Sequence, residues 1–187
     1  MPTHVALLRG INVGGRNKVA MADLRKIVES LGHRDVATYI QSGNVVFTSQ
    51  DTDTAAIAAE LERALEETLG IRPSVVVLSQ AELAKVIADN PFPDEANPKH
   101  LHAVFRAAEV GAQEAAAIAA AERRARDKGS RDQAKVVGRT MYLRTPDGLG
   151  RSDLAAQLAR SNPAVGDRGG TTRNWATVTK LLAMLDV

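Results

Sequence analysis

Between Leu7 and Leu24 the chain reads LLRGINVGGRNKVAMADL. An apolar run empties into three glycines (Gly10, Gly14, Gly15), two asparagines (Asn12, Asn17) and three cations (Arg9, Arg16, Lys18), after which a helical pattern begins. Glycines can take positive φ and turn backbone N–H groups toward a ligand at close range. A helix starting just beyond adds the positive end of its dipole. Together these are the parts of an anion site, with phosphate the natural occupant. Known phosphate motifs do not fit. Gly10 and Gly15 have P-loop spacing, but Arg16 and Asn17 follow where Lys and Ser or Thr are required. The loop has no G-x-G-x-x-G and no parallel βαβ context. The plain alternative is that a ten-residue excursion needs such residues simply to turn.

Other chemistry is thinner. Ser42 is the best-placed hydroxyl for nucleophilic attack, without an evident histidine or acid partner. His100 and His102 alternate as on a strand and could share a metal, but no nearby acid or third histidine is visible, so no metal site is expected. The acids of residues 60–67 read as a solvated helix face. Near the C-terminus, GDRGGTTRNWATVTKLL offers Gly169 and Gly170, capping candidates Thr171 and Thr172, and a helix start where Arg173 and Asn174 could complete an anion site. Trp175 reads as an anchor docking that helix through Val178, Leu181 and Leu182.

The elements that must position these groups follow from hydrophobic period. HVALLRG (4–10) reads as a buried strand, MADLRKIVESLG (21–32) as a helix, ATYIQ and NVVFT as a hairpin turning at Ser42-Gly43, TAAIAAELERALEETLG (54–70) as a helix and SVVVLS (74–79) as a strand. The order βαββαβ is ferredoxin-like. Residues 81–99 supply a connecting helix and a Pro-rich loop. The second half, 100–187, runs strand, Ala-rich helix (about 111–128), strands AKVVG and TMYLRT, helix 152–160 and helix 171–186. The fold class is therefore α+β: a ferredoxin-like half, residues 1–80, followed by a degenerate βαββα half with a C-terminal helix, packed as one unit with the first.

That topology puts the turn after the first strand, the QSGN hairpin and the LGIRP turn on one rim. It gathers Arg9, Arg16, Lys18 and Arg72 with Asn12, Asn17, Gln41, Ser42 and Asn44, mostly hydrogen-bond donors that suit an anion. The second half makes the corresponding turn as RAAEVGAQ, with one glycine and no run of amides, so the fold does not itself demand the elaborate loop.

Bulk properties exclude more than they assign. The 187 residues carry no cysteine, which removes disulfides, thiolate catalysis and Cys-type metal sites. No secretory signal pattern and no span-length apolar run is visible, so a soluble cytoplasmic protein without membrane partners is expected. Net charge is only +2, yet residues 51–100 hold ten acids against four bases, and residues 123–139 hold seven bases against two acids. The basic run reads chiefly as a solvated face, with contact to a nucleic-acid backbone as the functional alternative. Base stacking on the sheet is not expected, because aromatics make up 3% of the chain and the first strand has none.

The stretches ALLRGINVGGRNKVAMADLR, TYIQSGNVVF, NPFPDEANPKHLHAVF, YLRTPDGLGRSDL and TTRNWATVTKL together resemble the bacterial domain-of-unknown-function family number 1697, from about His4 to Leu182. The resemblance implies a small soluble α/β protein that usually stands alone. It brings no reaction, cofactor or catalytic residue. Members often carry an asparagine where this chain has Ala176. The expectation is a binding protein for a phosphate-bearing ligand, nucleotide-like or a nucleic-acid backbone, held by Arg9, Gly10, Asn12, Gly14, Gly15, Arg16, Asn17, Lys18, Gln41, Ser42, Asn44, Arg173 and Asn174. No cofactor is expected, and the oligomeric state stays open. The alternatives are an enzyme acting on an acidic small molecule at the same rim, and a protein-interaction or dimerisation domain.

Overall fold

A computed structural model describes residues 1–161 and 170–186; Gly169, singled out above, lies outside them. The chain forms two compact units, Met1–Ile87 with Thr179–Val187, and Ala88–Val178.

In the first unit the elements run β1 (His4–Leu8), α1 (Met21–Ser30), β2 (Arg34–Tyr39), β3 (Asn44–Thr48), α2 (Thr54–Leu69), β4 (Val75–Ser79) and α3 (Gln80–Ala88). The sheet order is β2-β3-β1-β4, every pairing antiparallel. Alternation along the strands selects Ala6, Leu8, Val45, Phe47, Val75 and Val77 for one face. They form a single core with Leu24, Ile27 and Val28 of α1 and Ile57, Leu61 and Leu65 of α2, the residues at helical spacing in each helix. The opposite face carries Val5, Leu7, Val46, Val76 and Leu78, all buried as well. Asp53 caps α2, its carboxylate accepting from the N–H groups of Ala55 and Ala56 at 3.0 Å each. Helix α1 has no such cap, a difference that matters below.

The second unit holds β5 (Leu101–Phe105), α4 (Ala112–Asp127), β6 (Gln133–Val137), β7 (Thr140–Arg144), a 3₁₀ turn at Leu149–Arg151, α5 (Asp153–Ser161), β8 (Thr171–Asn174) and the start of α6 (Trp175–Leu185), whose residues from Thr179 onward count with the first unit. The order β6-β7-β5-β8 is again wholly antiparallel. Val104, Met141 and Leu143 pack with Ile118, Ala121 and Ala125 of α4 and Leu154 and Leu158 of α5. Ser152 caps α5 through the N–H of Ala155, 2.9 Å away.

Here the sequence expectation needs correction. Residues 171–174 are not helical but form a fourth strand on β5, from Phe105 opposite Thr171 to His102 opposite Asn174. The second half is therefore not short of a strand, and Thr171 and Thr172 cap nothing. β-branched Thr171 and Thr172 favour the extended backbone. Entry to the strand requires Gly170, at φ 99°, because a Cβ there would lie 2.1 Å from the Phe105 carbonyl oxygen.

Candidate functional site

The loop between β1 and α1 is a miniature hairpin rather than an open cradle. Val13 and Arg16 bridge antiparallel, the Arg16 N–H donating to the Val13 carbonyl at 3.1 Å, and Asn12 and Asn17 close the pair below them at 3.1 Å. Gly14 and Gly15, at φ 58° and 75°, are the central residues of that turn, whose left-handed conformation at both positions matches a primed hairpin turn. Their freedom is used to reverse the chain.

Asn12 holds the loop in place. Its Oδ1 accepts from the Val19 N–H at 2.8 Å, and its Nδ2 donates to the carbonyls of Val19, at 2.9 Å, and Gln41, at 2.8 Å. The Gln41 bond ties the loop to the hairpin between β2 and β3. A second tie is apolar. Ile11 lies over Gly43 so closely that a Cβ at Gly43 would meet its side chain at 2.9 Å. On the other flank the Arg9 N–H donates to the Ser74 carbonyl at 2.9 Å, so the turn leading into β4 lies alongside. The loop and the β2–β3 hairpin therefore meet, and Ser74, just past the LGIRP turn, lies beside the first residue of the loop.

Between the miniature hairpin and the start of α1 opens a cleft of about 570 Å³, lined by Asn12, Gly15, Lys18, Val19, Ala20, Asp23 and Gln41. Ala20 is the N-cap of α1, with the extended backbone (φ −69°, ψ 134°) proper to a cap but no side chain able to accept from the first-turn N–H groups. The Ala20 carbonyl accepts from the Asp23 N–H at 3.0 Å, so the positive end of the helix leaves the N–H groups of Met21 and Ala22 beside the cleft without a capping acceptor. Lys18 stands beside it and Arg16 nearby; both are exposed, and neither has an ion-pair partner among the described residues. Asp23, in the first helical turn, is the opposing charge.

Of the residues expected at the site, Asn12, Gly15, Lys18 and Gln41 line this cleft. Gly14, Arg16 and Asn17 belong to the miniature hairpin, where Asn17 Nδ2 donates to the Gly10 carbonyl at 3.3 Å. Asn44 does other work: fully buried, it donates through Nδ2 to the Tyr39 carbonyl and to Ser42 Oγ, both at 3.0 Å, and so pins the β2–β3 turn. Arg9 is not among the lining residues, and its Nη1 is buried without a hydrogen-bond partner. Arg173 and Asn174 belong to the second unit. Arg173 sits in β8 rather than at an exposed helix start, donating from Nη1 to Thr171 Oγ1 (2.5 Å) and the Thr172 carbonyl (2.9 Å), and burial pulls its guanidinium down to about 10. Asn174 caps α6, its Oδ1 accepting from the Thr177 N–H at 3.2 Å. Trp175 follows it and meets the Tyr142 ring at 6.2 Å. Val19, Ala20 and Asp23 were missed. The available signal was a negative one: no Ser, Thr, Asp or Asn immediately precedes the helical run at Met21.

His100 also differs from expectation. An acid does reach it: Glu95 Oε1 lies 3.6 Å from His100 Nδ1, and Asn97 Nδ2 lies 3.1 Å from Nε2. Arg144 Nε donates to the other Glu95 oxygen at 2.8 Å, and that bond holds the carboxyl below its usual range. With both ring nitrogens engaged, the cluster is a clasp for the Pro-rich loop. Among the described residues no group of three or more His, Cys, Asp or Glu could hold a metal ion.

The basic run of 123–139 is largely matched internally. Arg126 pairs with Glu122 (2.8 Å), Arg131 with Asp147 (2.7 Å) and Lys128 with Asp153 (3.8 Å), while Arg124 donates to Gln157 (3.0 Å). A second cleft of about 330 Å³, among Lys128, Gly129, Ser130, Asp132, Asp147, Arg151 and Asp153, is bordered by two of these pairs.

With this geometry in hand, the chain belongs to the family described as "Protein of unknown function (DUF1697)", whose model matches residues 1–142 and so includes the loop, the hairpin and α1. Among solved structures it is similar to the conserved bacterial protein SP0830 from Streptococcus pneumoniae, at 24% identity and a TM-score of 0.69, over 98% of each chain. That likeness concerns the fold alone. No curated protein matches. No described helix is long and apolar enough to cross a membrane.

Proposed function

We propose that the cleft between the miniature hairpin and α1 binds a phosphate-bearing anion, either a nucleotide-like molecule or a nucleic-acid backbone. One observation carries this reading: α1 begins on Ala20, without a capping side chain, where it faces the cleft beside Lys18. An anion there would accept from N–H groups that the chain itself leaves without a capping acceptor. Gly15 and Gln41 complete the wall, and Arg16 strengthens the local field. The strand orders in both units support a ferredoxin-like reading of each, and the absence of cysteine accords with a cytoplasmic setting.

Calorimetric titration with inorganic phosphate, mononucleotides and short oligonucleotides at two salt concentrations tests the proposal. Binding should weaken with salt and fall several-fold in Lys18→Ala. Absence of binding by every probe, or an unchanged affinity in Lys18→Ala with Arg16→Ala, would overturn it.

A further inference from the structure

Two histidines of the first unit lie against one aromatic ring. His4, at the start of β1, stacks on Phe47 with centroids 5.8 Å apart and planes 18° from parallel. His33, immediately before β2, packs on the same ring at 4.7 Å and 38°. Both are buried, at 5% and 8% exposure. His4 Nδ1 lies 2.7 Å from Thr3 Oγ1, whereas His33 Nε2 is buried with no hydrogen-bond partner. A proton added to either imidazole would place a poorly hydrated charge against the Phe47 ring of the apolar core, and a charge on His33 would further oppose one on His4.

We propose that His4 and His33 form an acid-sensitive latch that holds edge strand β2 on the first unit's sheet at neutral pH and releases it on acidification. β2 is the element His33 introduces, and it is an edge strand with irregular pairing. It pairs on one side only, its register shifts between Arg34 and Ala37, and Asp35 takes φ 52°. The charged groups around the pair are Asp51 from the segment before α2, Glu60 from α2 and Glu82 from α3. These carboxylates favour protonation, but loss of hydration outweighs them and holds both histidines below their ordinary range. Glu82 is in addition committed to Ser79, accepting from its N–H at 2.8 Å. On β2 itself Asp35 takes the N-terminal ammonium at 3.8 Å and the Thr48 hydroxyl at 2.7 Å.

The sign follows from the direction of the shifts. The unfolded or detached state binds protons more readily, so protection is complete above about pH 6.5 and falls below it, by up to roughly tenfold per pH unit for each histidine. The latch is independent of what the cleft binds.

Hydrogen exchange on the full chain at pH 7.5, 6.5 and 5.5, corrected for intrinsic exchange, tests it. The amides of β2 should lose protection as pH falls while those of β4, the other edge strand of the same sheet, do not. His33→Gln should reduce the slope, and His4→Gln with His33→Gln should abolish it. Should those variants fail to fold, proton NMR titration of the wild-type imidazoles gives an equivalent reading, with both titrating below the ordinary histidine value. PH-independent protection of β2, an unchanged slope in the double variant, or ordinary imidazole titration would each overturn the proposal.

Discussion

Replacing Ala20 tests the cleft directly, because the same N–H groups serve helix stability and the proposed ligand. Ala20 is exposed and already has cap backbone angles (φ −69°, ψ 134°), so Ser or Asp can enter without strain. A capping oxygen in place of alanine is worth about 0.5–2 kcal/mol, typically about 1. Asp adds a favourable dipole interaction of about 0.3–1 kcal/mol. Part of that is offset by Asp23 three residues on, a like charge in the same turn. Ala20→Ser should therefore stabilise the protein by about 1 kcal/mol, a rise in Tm of about 2–4 °C for a chain of this size. Both variants should also lose phosphate affinity, Asp the more, since it fills the site with a fixed carboxylate. Urea unfolding gives the first quantity and calorimetric titration the second. A variant no more stable than wild type would mean that the first-turn N–H groups are already satisfied. A variant more stable but equally good at binding would place the anion elsewhere. Either result refutes the reasoning.

Three further outcomes are expected. Asn12→Ala removes three hydrogen bonds that tie the loop to Val19 and Gln41 and should cost about 2–4 kcal/mol in urea unfolding, at roughly 1 kcal/mol net per bond. Gly43→Ala meets Ile11 and Leu8 at 2.9 Å on a backbone at φ 82° and should destabilise by at least about 1–3 kcal/mol, measured the same way. Glu95, held below its usual range chiefly by Arg144, adds stability that is present above its unfolded value near 4.5 and is lost as pH falls through the lower folded value. Glu95→Gln should accordingly flatten the acid limb of a stability–pH profile in that window.

The first unit was legible because its signals are unmixed: continuous apolar runs in HVALL and NVVFT, helical spacing of Leu24, Ile27 and Val28, and Gly70 closing α2. Strand β8 was not, because two threonines after a glycine pair read as a helix cap ahead of Val178, Leu181 and Leu182, and the partner that makes residues 171–174 extended, β5, lies some seventy residues away. Convergence of the loop and the hairpin followed from topology. What each amide does there could not follow, since Asn12 and Asn44 look alike in sequence yet one bridges two loops and the other pins a single turn. The glycines misled for a related reason. The same residue type serves a phosphate cradle and a tight reversal, and only the Val13–Arg16 bridge separates them.

The first unit takes its residues from both ends of the sequence, 1–87 and 179–187. Gln80 Nε2, at the start of α3, donates to the Leu185 carbonyl (3.4 Å) and to Asp186 Oδ1 (2.6 Å). During synthesis, then, the segment made first cannot reach its final form until residues 179–187 have left the ribosome, by which time the contiguous stretch 88–178 is complete.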